Sequence, residues 1–192
     1  MIKIGIVGDI GSGKSYVAKQ FGYPVFSADN EVEKLYRKSR KCYYKLKKKI
    51  PNYITSFPIQ KSNLSKAIIK NSNNLKKIEK VIHPLIRVQM KSFFKKNKNK
   101  KIVVLDIPLL IENKINKKKY VLVFVDAKQK EIKKRLKKRF NFNSKVFNKL
   151  KKLQLPVETK RKKADFIIKN NFRRQTTKKN VKILLKNILL DA

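Results

Sequence analysis

Five short apolar runs, separated by stretches with helical spacing, dominate the pattern of hydrophobic and polar positions along the chain. Each run is nearly continuous and rich in β-branched or aromatic residues, which predicts strands that are buried on both faces. Strands that alternate with helices indicate a parallel sheet with helices on both sides. The predicted fold is therefore a doubly wound α/β fold around a five-stranded parallel sheet. The predicted strands cover residues 2–7, 24–28, 102–105, 120–125 and 166–168.

Two long segments depart from this alternation. Residues 31–100 show helical spacing but no convincing strand, which predicts a helical insertion in which one helix ends at His83-Pro84 and another begins. Residues 129–163 have few apolar positions among many lysines and arginines, which is typical of a basic helical flap. A final helix over 176–190 is predicted to pack back on the sheet.

The most specific motif lies between the first strand and the following helix. Gly8-Asp9-Ile10-Gly11-Ser12-Gly13-Lys14-Ser15 matches the phosphate-binding loop GxxxxGK[ST] in its required context. Its glycines let the backbone turn and aim N–H groups at phosphate oxygens, and the helix that starts near Lys14 adds its partly positive N-terminus. We expect Lys14 to span the β and γ phosphates and the Ser15 hydroxyl to bind Mg²⁺. The motif therefore predicts a nucleoside triphosphate site.

Polar residues follow the other predicted strands. Asp29, Asp106 and Asp126 follow the second, third and fourth strands, and Asn170 lies just beyond the fifth. In open α/β sheets ligands bind at this carboxyl edge, although a helix N-cap is the alternative role for each residue. We expect Asp29 to accept or orient the hydroxyl proton of an acceptor, and Asp106 to hold Mg²⁺ through water.

Further candidates are cationic or lie in the insertion. Arg135 and Arg139 are four residues apart on one predicted helix face and could close over phosphates, with a solvated basic face as the alternative. His83, the single histidine, is a candidate for acceptor binding, with a structural position before Pro84 as the alternative. Aligned reactants, Mg²⁺ and cations are what phosphoryl transfer needs, so this is the predicted chemistry.

Composition narrows the class of protein. The 192 residues are enough for one domain with a core, and the single cysteine, Cys42, excludes an internal disulfide or a cysteine zinc cluster. The chain lacks the roughly 18 consecutive apolar residues of a membrane span, and it begins with a strand pattern rather than a signal peptide. We therefore expect a cytoplasmic protein.

The positive charge is spread along the whole chain. There are 52 Lys+Arg against 12 Asp+Glu, a formal net charge of +40, which by itself suggests a nucleic-acid partner. The lysines occur throughout the chain together with many asparagines and isoleucines, which favours a general compositional bias over a binding surface. We expect neither a specific nucleic acid nor a membrane as partner, and a monomer or weak homo-oligomer.

Several motifs together resemble those of the dephospho-coenzyme A kinase family over nearly the full length. VFSAD at 25–29 resembles the family's VxDAD element, IHPLIR at 82–87 its HPxIR element, and DIPLLIE at 106–112 its DxPLLFE element. The lid and closing strand of the family are resembled by Arg135-Leu136 with Arg139, and by residues 154–170 with Gln154 and Lys160-Arg161. The chain is thus identified as similar to kinases that catalyse the last step of coenzyme A biosynthesis.

The resemblance implies an activity and a layout. The activity is transfer of the ATP γ-phosphate to the ribose 3′-hydroxyl of dephospho-coenzyme A, with Mg²⁺, giving coenzyme A and ADP. The layout is a single domain over 1–192 of the phosphate-loop kinase type. It divides into a core (1–30, 101–128 and 164–192), a helical acceptor-binding region (31–100) and a helical lid (129–163).

The resemblance also implies site residues. Lys14, Asp29 and Arg139 would be catalytic, with Asp29 on the acceptor side and Arg139 as a lid cation; Ser15 and Asp106 would hold the metal. The implied nucleotide contacts are Gly8, Asp9, Ile10, Gly11, Ser12, Gly13, Lys14, Ser15, Tyr16, Arg135, Arg139 and, near adenine, Asn170. The implied acceptor contacts are Asp29, His83, Arg87, Pro108, Leu109, Leu110 and Glu112.

The chain departs from the family's pattern at several positions. Leu150 stands where a lid arginine is usual, and Lys149 or Lys151 could cover for its charge, although lysine lacks the planar fork of arginine. Phe172 replaces the glycine after the asparagine. The other departures are Tyr16, Ser27 and Lys61. These changes bear on substrate contacts more than on phosphate binding.

Two other functions stay open at this point. One is another small-molecule kinase on the same core, with a nucleotide, nucleoside or shikimate acceptor. The other is a basic nucleic-acid-binding protein with a degenerate nucleotide fold. A guanine-nucleotide switch is disfavoured, because residues 113–116 lack the final Asp of the base-reading NKxD motif.

Overall fold

A five-stranded, fully parallel sheet organises the part of the chain that contains the predicted phosphate loop. The structure is a computed structural model that describes residues 1–112, 120–138 and 142–191. The strand order is β2-β3-β1-β4-β5. The predicted fold class is confirmed, and each predicted strand end lies within one residue of the observed end. The strands are β1 (Ile2–Gly8), β2 (Val25–Ser27), β3 (Ile102–Asp106), β4 (Tyr120–Asp126) and β5 (Phe166–Lys169).

Helices fill most of the remaining described chain. The segment between β2 and β3 is helical, as predicted, and so is much of the predicted lid. No helix within the described ranges combines the length and apolar character needed to cross a membrane. The helices are α1 (Lys14–Gln20), α2 (Ala28–Lys38), α3 (Arg40–Lys49), α4 (Lys61–Lys70), α5 (Asn73–Lys96), α6 (Gln129–Lys137), α7 (Ser144–Lys152), α8 (Val157–Lys162) and α9 (Arg174–Leu190), with a 3-10 turn at Pro51–Tyr53.

Alternate residues of the central strand face opposite sides of the sheet. Ile4 and Ile6 of β1 are fully buried in a cluster with residues of α1 and α9, so these two helices cover that face. Between them, Gly5 faces Leu110 and Leu122 on the other side. The prediction that the last helix packs on the sheet is therefore confirmed.

The predicted helix break at His83-Pro84 is wrong. Helix α5 runs without interruption from Asn73 to Lys96, with Pro84 in its interior. Pro84 lacks the N–H that would bond the carbonyl of Lys80, which costs about 3 kcal/mol in a helix. Burial of Ile78 and Val81 in an apolar cluster offsets that cost, since each buried aliphatic side chain contributes roughly 1.5–3 kcal/mol.

The chain forms two compact units. The first comprises Met1–Ser27, Asn97–Phe142 and Lys151–Ala192, and the second comprises Ala28–Lys96 and Asn143–Leu150. The predicted lid is shared between them, because α6 and α8 belong to the first unit and most of α7 to the second. The functional division into core, acceptor region and lid stays a prediction.

Lys149 of α7 caps a helix within the second unit. Its ammonium group donates to the carbonyl oxygens of Ile68 and Ile69, at 2.7 and 3.1 Å. These are among the last carbonyls of α4, which have no partner inside the helix. In this structure Lys149 therefore serves α4, rather than covering for the lid charge that Leu150 lacks.

Candidate active site

The loop between β1 and α1 contains two glycines whose backbone conformation and close neighbours both disfavour a side chain. Gly8 has φ 149° and Gly13, the N-cap of α1, has φ 91°. A Cβ atom on Gly8 would lie 2.9 Å from the carbonyl oxygen of Val125, and one on Gly13 would lie 2.4 Å from Nδ2 of Asn170. Both conformation and space therefore require glycine, as the phosphate-loop motif predicts.

Asp9 shapes the loop with its buried side chain. One carboxylate oxygen accepts from the Ile10 N–H at 2.8 Å and the other from Nε2 of Gln129 at 3.1 Å. Its backbone carbonyl accepts from the Ser12 N–H at 3.2 Å. Both carboxylate oxygens of Asp9 therefore stabilise the loop conformation and its contact with α6.

Asn170 fastens the loop to the connection between β5 and α9. It is 3% exposed, and its Nδ2 donates to the Ser12 carbonyl at 2.8 Å. Its Oδ1 accepts from the Thr177 hydroxyl and the Phe172 N–H, each at 3.0 Å. The structure therefore places Asn170 directly behind the phosphate loop, while its predicted position near adenine stays a prediction.

Phe172 takes an unusual backbone conformation beside the loop. Its φ is 62°, in the left-handed region that bulky residues rarely adopt and that the family's glycine tolerates. The guanidinium carbon of Arg135 lies 4.4 Å from the centre of its ring. Helix α6 is anchored here through Ile132 and Leu136, which are close against Gly11. Arg135 is therefore brought next to the phosphate loop, while its contact with phosphates stays a prediction.

Two lysine ammonium groups meet at one carbonyl oxygen of the loop. Lys14 Nζ donates to the Asp9 carbonyl at 2.8 Å and to the Gly8 carbonyl at 3.3 Å. Lys160 Nζ, from α8, also donates to the Gly8 carbonyl at 3.3 Å, and to Oε1 of Gln154 at 2.8 Å. Both line a cavity, here called the Lys14/Lys160 cavity, together with Leu109, Leu110, Glu112 and Gln154.

The turn after β3 supplies the other wall of this cavity. Leu109 has φ 57°, a strained conformation of the kind that clusters at ligand sites. Oε1 of Glu112 accepts from the Leu155 N–H at 3.0 Å, so the turn is fastened to the segment before α8. Predicted acceptor residues of the DIPLLIE element therefore lie beside the phosphate loop.

Other predicted acceptor residues belong to the second unit. Asp29 is exposed in the first turn of α2, and His83 and Arg87 lie one helical turn apart on α5. Arg139 lies outside the described residues. The structure thus groups the phosphate loop, Asp106, residues 108–112, Arg135 and Asn170 in the first unit, and Asp29, His83 and Arg87 in the second.

Comparison with known proteins identifies the family. The sequence model described as CoaE, dephospho-CoA kinase, matches residues 2–175. The chain belongs to the dephospho-CoA kinase family. The dephospho-CoA kinase of Bartonella quintana is 37% identical over 191 residues, which cover 97% of this chain and 97% of that protein. The predicted resemblance is confirmed, and membership makes the chain an ATP-using kinase of coenzyme A biosynthesis.

Solved structures agree with this assignment at the level of the fold. The Thermus thermophilus protein TT1252 superposes with a TM-score of 0.79 at 27% identity, covering 99% of this chain and 97% of that one. A shikimate kinase from Acinetobacter baumannii, in complex with shikimate, superposes with a TM-score of 0.53 at 14% identity, covering 100% and 94%. The second likeness shows the fold alone, so the choice of acceptor rests on sequence elements.

Oxygen donors suited to Mg²⁺ end β3 and begin α1 in this dephospho-CoA kinase. Asp106 is the last residue of β3, is 4% exposed, and is in register with Ile6 of the adjacent β1. Ser15 lies in the first turn of α1, directly after Lys14. A carboxylate and a hydroxyl are hard ligands of the kind that Mg²⁺ takes alongside water and phosphate oxygens. The donor set therefore fits the metal.

Sequence reasoning missed Lys160, Gln154 and Gln129 as site residues. Lys160 and Gln154 stand in a segment that resembles the family's lid, but among so many lysines nothing local marks one as buried. Lys160 is 2% exposed, whereas its neighbours Lys162 and Lys163 are exposed. For Lys160 and Gln154, the only sequence signal of a role in the site was their place in a segment that resembles a family motif.

Gly13→Ala is expected to destabilise the kinase and weaken ATP binding more than Gly22→Ala does. Both glycines have positive φ, so both variants carry strain of about 1–3 kcal/mol. At Gly13 the added methyl collides with Asn170, whereas a Cβ added at Gly22 meets no atom within 4 Å beyond its chain neighbours. Urea denaturation and ATP titration of both variants measure the difference. Equal losses in the two variants would contradict the role of Asn170 behind the loop.

Proposed function

We propose that this protein transfers the γ-phosphoryl group of ATP to the ribose 3′-hydroxyl of dephospho-coenzyme A, giving coenzyme A and ADP. The observation that carries the proposal is one cavity in which Gly8 and Lys14 of the phosphate loop meet Leu109, Leu110 and Glu112 of the DIPLLIE turn. The first feature is general to phosphate-loop kinases, and the second is typical of this family. Donor and acceptor elements are thus adjacent within one unit.

The donor side is assigned to the phosphate loop. The N–H groups from Gly8 to Ser15 and the ammonium group of Lys14 bind the β and γ phosphates, and the N-terminus of α1 adds its partial positive charge. Tyr16 and Ser12 carry buried hydroxyl oxygens that have no hydrogen-bond partner within the described residues. Arg135 and Arg139 supply further positive charge from the lid.

Transfer requires one bond to form and one to break. The 3′-oxygen of the acceptor bonds to the γ-phosphorus, the bond from that phosphorus to the β–γ bridging oxygen breaks, and the bridging oxygen leaves on ADP. Asp29 accepts the proton of the attacking hydroxyl. Ser15 and Asp106 would hold Mg²⁺, which when bound would neutralise charge on the phosphate oxygens.

The acceptor side combines apolar and charged contacts. Pro108, Leu109 and Leu110 offer apolar surface, and Glu112 holds the turn through its bond to the Leu155 N–H. His83 and Arg87 supply polar and cationic groups from α5 for an acceptor that carries phosphates. We further propose a cytoplasmic monomer or weak homo-oligomer, with no specific nucleic acid or membrane partner, whose net charge of +40 attracts both anionic substrates.

Incubation of the protein with MgATP and dephospho-coenzyme A is expected to yield a product heavier by one phosphoryl group. Mass spectrometry detects the product, and phosphorus NMR distinguishes a 3′-phosphate from other positions. Parallel reactions contain adenosine or shikimate as the acceptor, or lack MgATP. A product on one of those acceptors and none on dephospho-coenzyme A would contradict the proposed function.

A further inference from the structure

Lys160 is a buried cation in the first unit. It lies on α8, which packs against β1, and only 2% of its surface is exposed. Within the described residues its ammonium group has two acceptors, the Gly8 carbonyl and Oε1 of Gln154. An ammonium group has three N–H donors, so one remains for a ligand in the Lys14/Lys160 cavity.

No carboxylate in the described ranges forms an ion pair with Lys160. Glu112 and Asp9, whose charges act on Lys160, accept hydrogen bonds from other groups: Glu112 from the Leu155 N–H, and Asp9 from the Ile10 N–H and Gln129. Burial lowers the pKa of Lys160; the negative charges of Glu112 and Asp9 oppose this shift, and the positive charge of Lys151 adds to it. The protein thus keeps a buried ammonium group without a paired counter-ion.

The second ammonium group makes this arrangement more costly. Lys14 and Lys160 both donate to the Gly8 carbonyl, so two positive charges converge where Lys160 is buried and Lys14 is partly buried. Two ammonium groups that share one acceptor repel each other, and the repulsion grows as the surrounding dielectric constant falls. An anion that enters the Lys14/Lys160 cavity removes both penalties at once, and a phosphate group has oxygens enough to accept from both lysines.

We propose that Lys160 is a further catalytic residue, whose ammonium group binds an oxygen of the transferring γ-phosphoryl group beside Lys14. The inference rests on the proposed function, because that reaction delivers the phosphoryl group to this cavity. As the bond to the acceptor 3′-oxygen forms and the bond to the bridging oxygen breaks, both lysines stay protonated. The acceptor's proton goes to Asp29, and the two ammonium groups neutralise charge on the phosphoryl oxygens.

A purely structural role of Lys160 and the proposed catalytic role predict different effects of its replacement on stability. If Lys160 only linked α8 to β1, its loss would lower the melting temperature, and activity would fall only through unfolding. If Lys160 instead binds an anion during catalysis, its replacement by an apolar side chain removes a desolvated, unpaired charge. The stability of the protein then stays unchanged or rises. The Gly8 carbonyl keeps Lys14 as a donor in either case.

The test compares Lys160→Met and Lys160→Arg with Lys162→Met. Lys162 is exposed on the same helix, so its replacement matches the change in net charge without entering the cavity. For each protein, kcat and the KM for ATP and for dephospho-coenzyme A are measured between neutral and alkaline pH. The melting temperature of each protein without substrates measures its stability.

Lys160→Met is expected to lower kcat about 10²-fold, the usual effect of losing one group that stabilises developing charge, with KM for ATP changed far less. Its melting temperature is expected to equal or exceed that of the wild type. Lys160→Arg is expected to keep much of kcat. The alkaline loss of activity, which follows deprotonation of Lys160 as pH rises through its lowered pKa, should move to higher pH because arginine stays protonated.

Two results would overturn the inference without touching the proposed function. One is a Lys160→Met enzyme with the kcat of the wild type and of Lys162→Met. The other is a loss of kcat that follows a matching fall in melting temperature. Failure of the wild-type protein to phosphorylate dephospho-coenzyme A would instead contradict the proposed function itself, so the two failures are distinguishable.

Discussion

Lys14→Ala is expected to reduce kcat for coenzyme A formation by about 10²–10³-fold, the effect of removing one preorganised group that stabilises charge in the transition state. Lys14 already lies over the loop, bonded to the carbonyls of Gly8 and Asp9. A phosphate in the loop would take over those N–H donors. Alanine removes the charge while retaining good helix propensity at the first residue of α1.

Lys19→Ala is the matched control for this experiment. Lys19 lies on the same helix, in its last turn, and is exposed. Its removal lowers the net charge equally but does not touch the loop. Initial rates at saturating substrates for both variants, with circular dichroism to verify folding, measure the effect. Turnover by Lys14→Ala equal to that of Lys19→Ala would show that the loop does not hold the transferring phosphate.

Asp29→Asn is expected to slow transfer by about 10²–10⁴-fold, the range over which a positioned general base contributes, with ATP affinity largely unchanged. The amide has nearly the shape of the carboxylate but cannot accept the hydroxyl proton. Asp29 lies in the first turn of α2, two residues after the carboxyl end of β2. Steady-state kinetics give kcat, and titration with a non-hydrolysable ATP analogue gives the affinity.

Glu31→Gln is the control, because Glu31 is the other acidic residue in the first turn of α2. Both substitutions remove one negative charge near the helix N-terminus, which by itself costs only about 0.3–1 kcal/mol of stability. A large loss of kcat confined to Asp29→Asn would support its role as the base. An equal loss of ATP affinity would place Asp29 on the donor side.

The strands were predictable because their signal is local. Buried parallel strands need continuous apolar runs. The runs at β1, β3 and β4 end at Gly8, Asp106 and Asp126, where apolar residues give way to glycine or aspartate. The phosphate loop was predictable for a similar reason. Its glycines, lysine and serine lie within eight consecutive residues, so their spacing alone predicts phosphate binding.

Helix α5 shows where local rules fail. Proline usually ends a helix, and the sequence around Pro84 offers no local reason for an exception. The helix continues because Ile78 and Val81 belong to an apolar cluster with residues of other helices in the second unit, such as Leu46 of α3 and Leu64 of α4. That packing energy comes from residues distant in the sequence and is not visible in a window around the proline.

By itself, the sequence determined the parallel α/β sheet, the phosphate loop and membership of the dephospho-CoA kinase family, because each depends on contiguous residues with fixed spacing. Tertiary structure alone decided which of many lysines is buried in the Lys14/Lys160 cavity. Lys160 reaches the Gly8 carbonyl across 152 positions of sequence. Burial and desolvation depend on how distant segments pack, and the identity of a residue or its neighbours does not specify them.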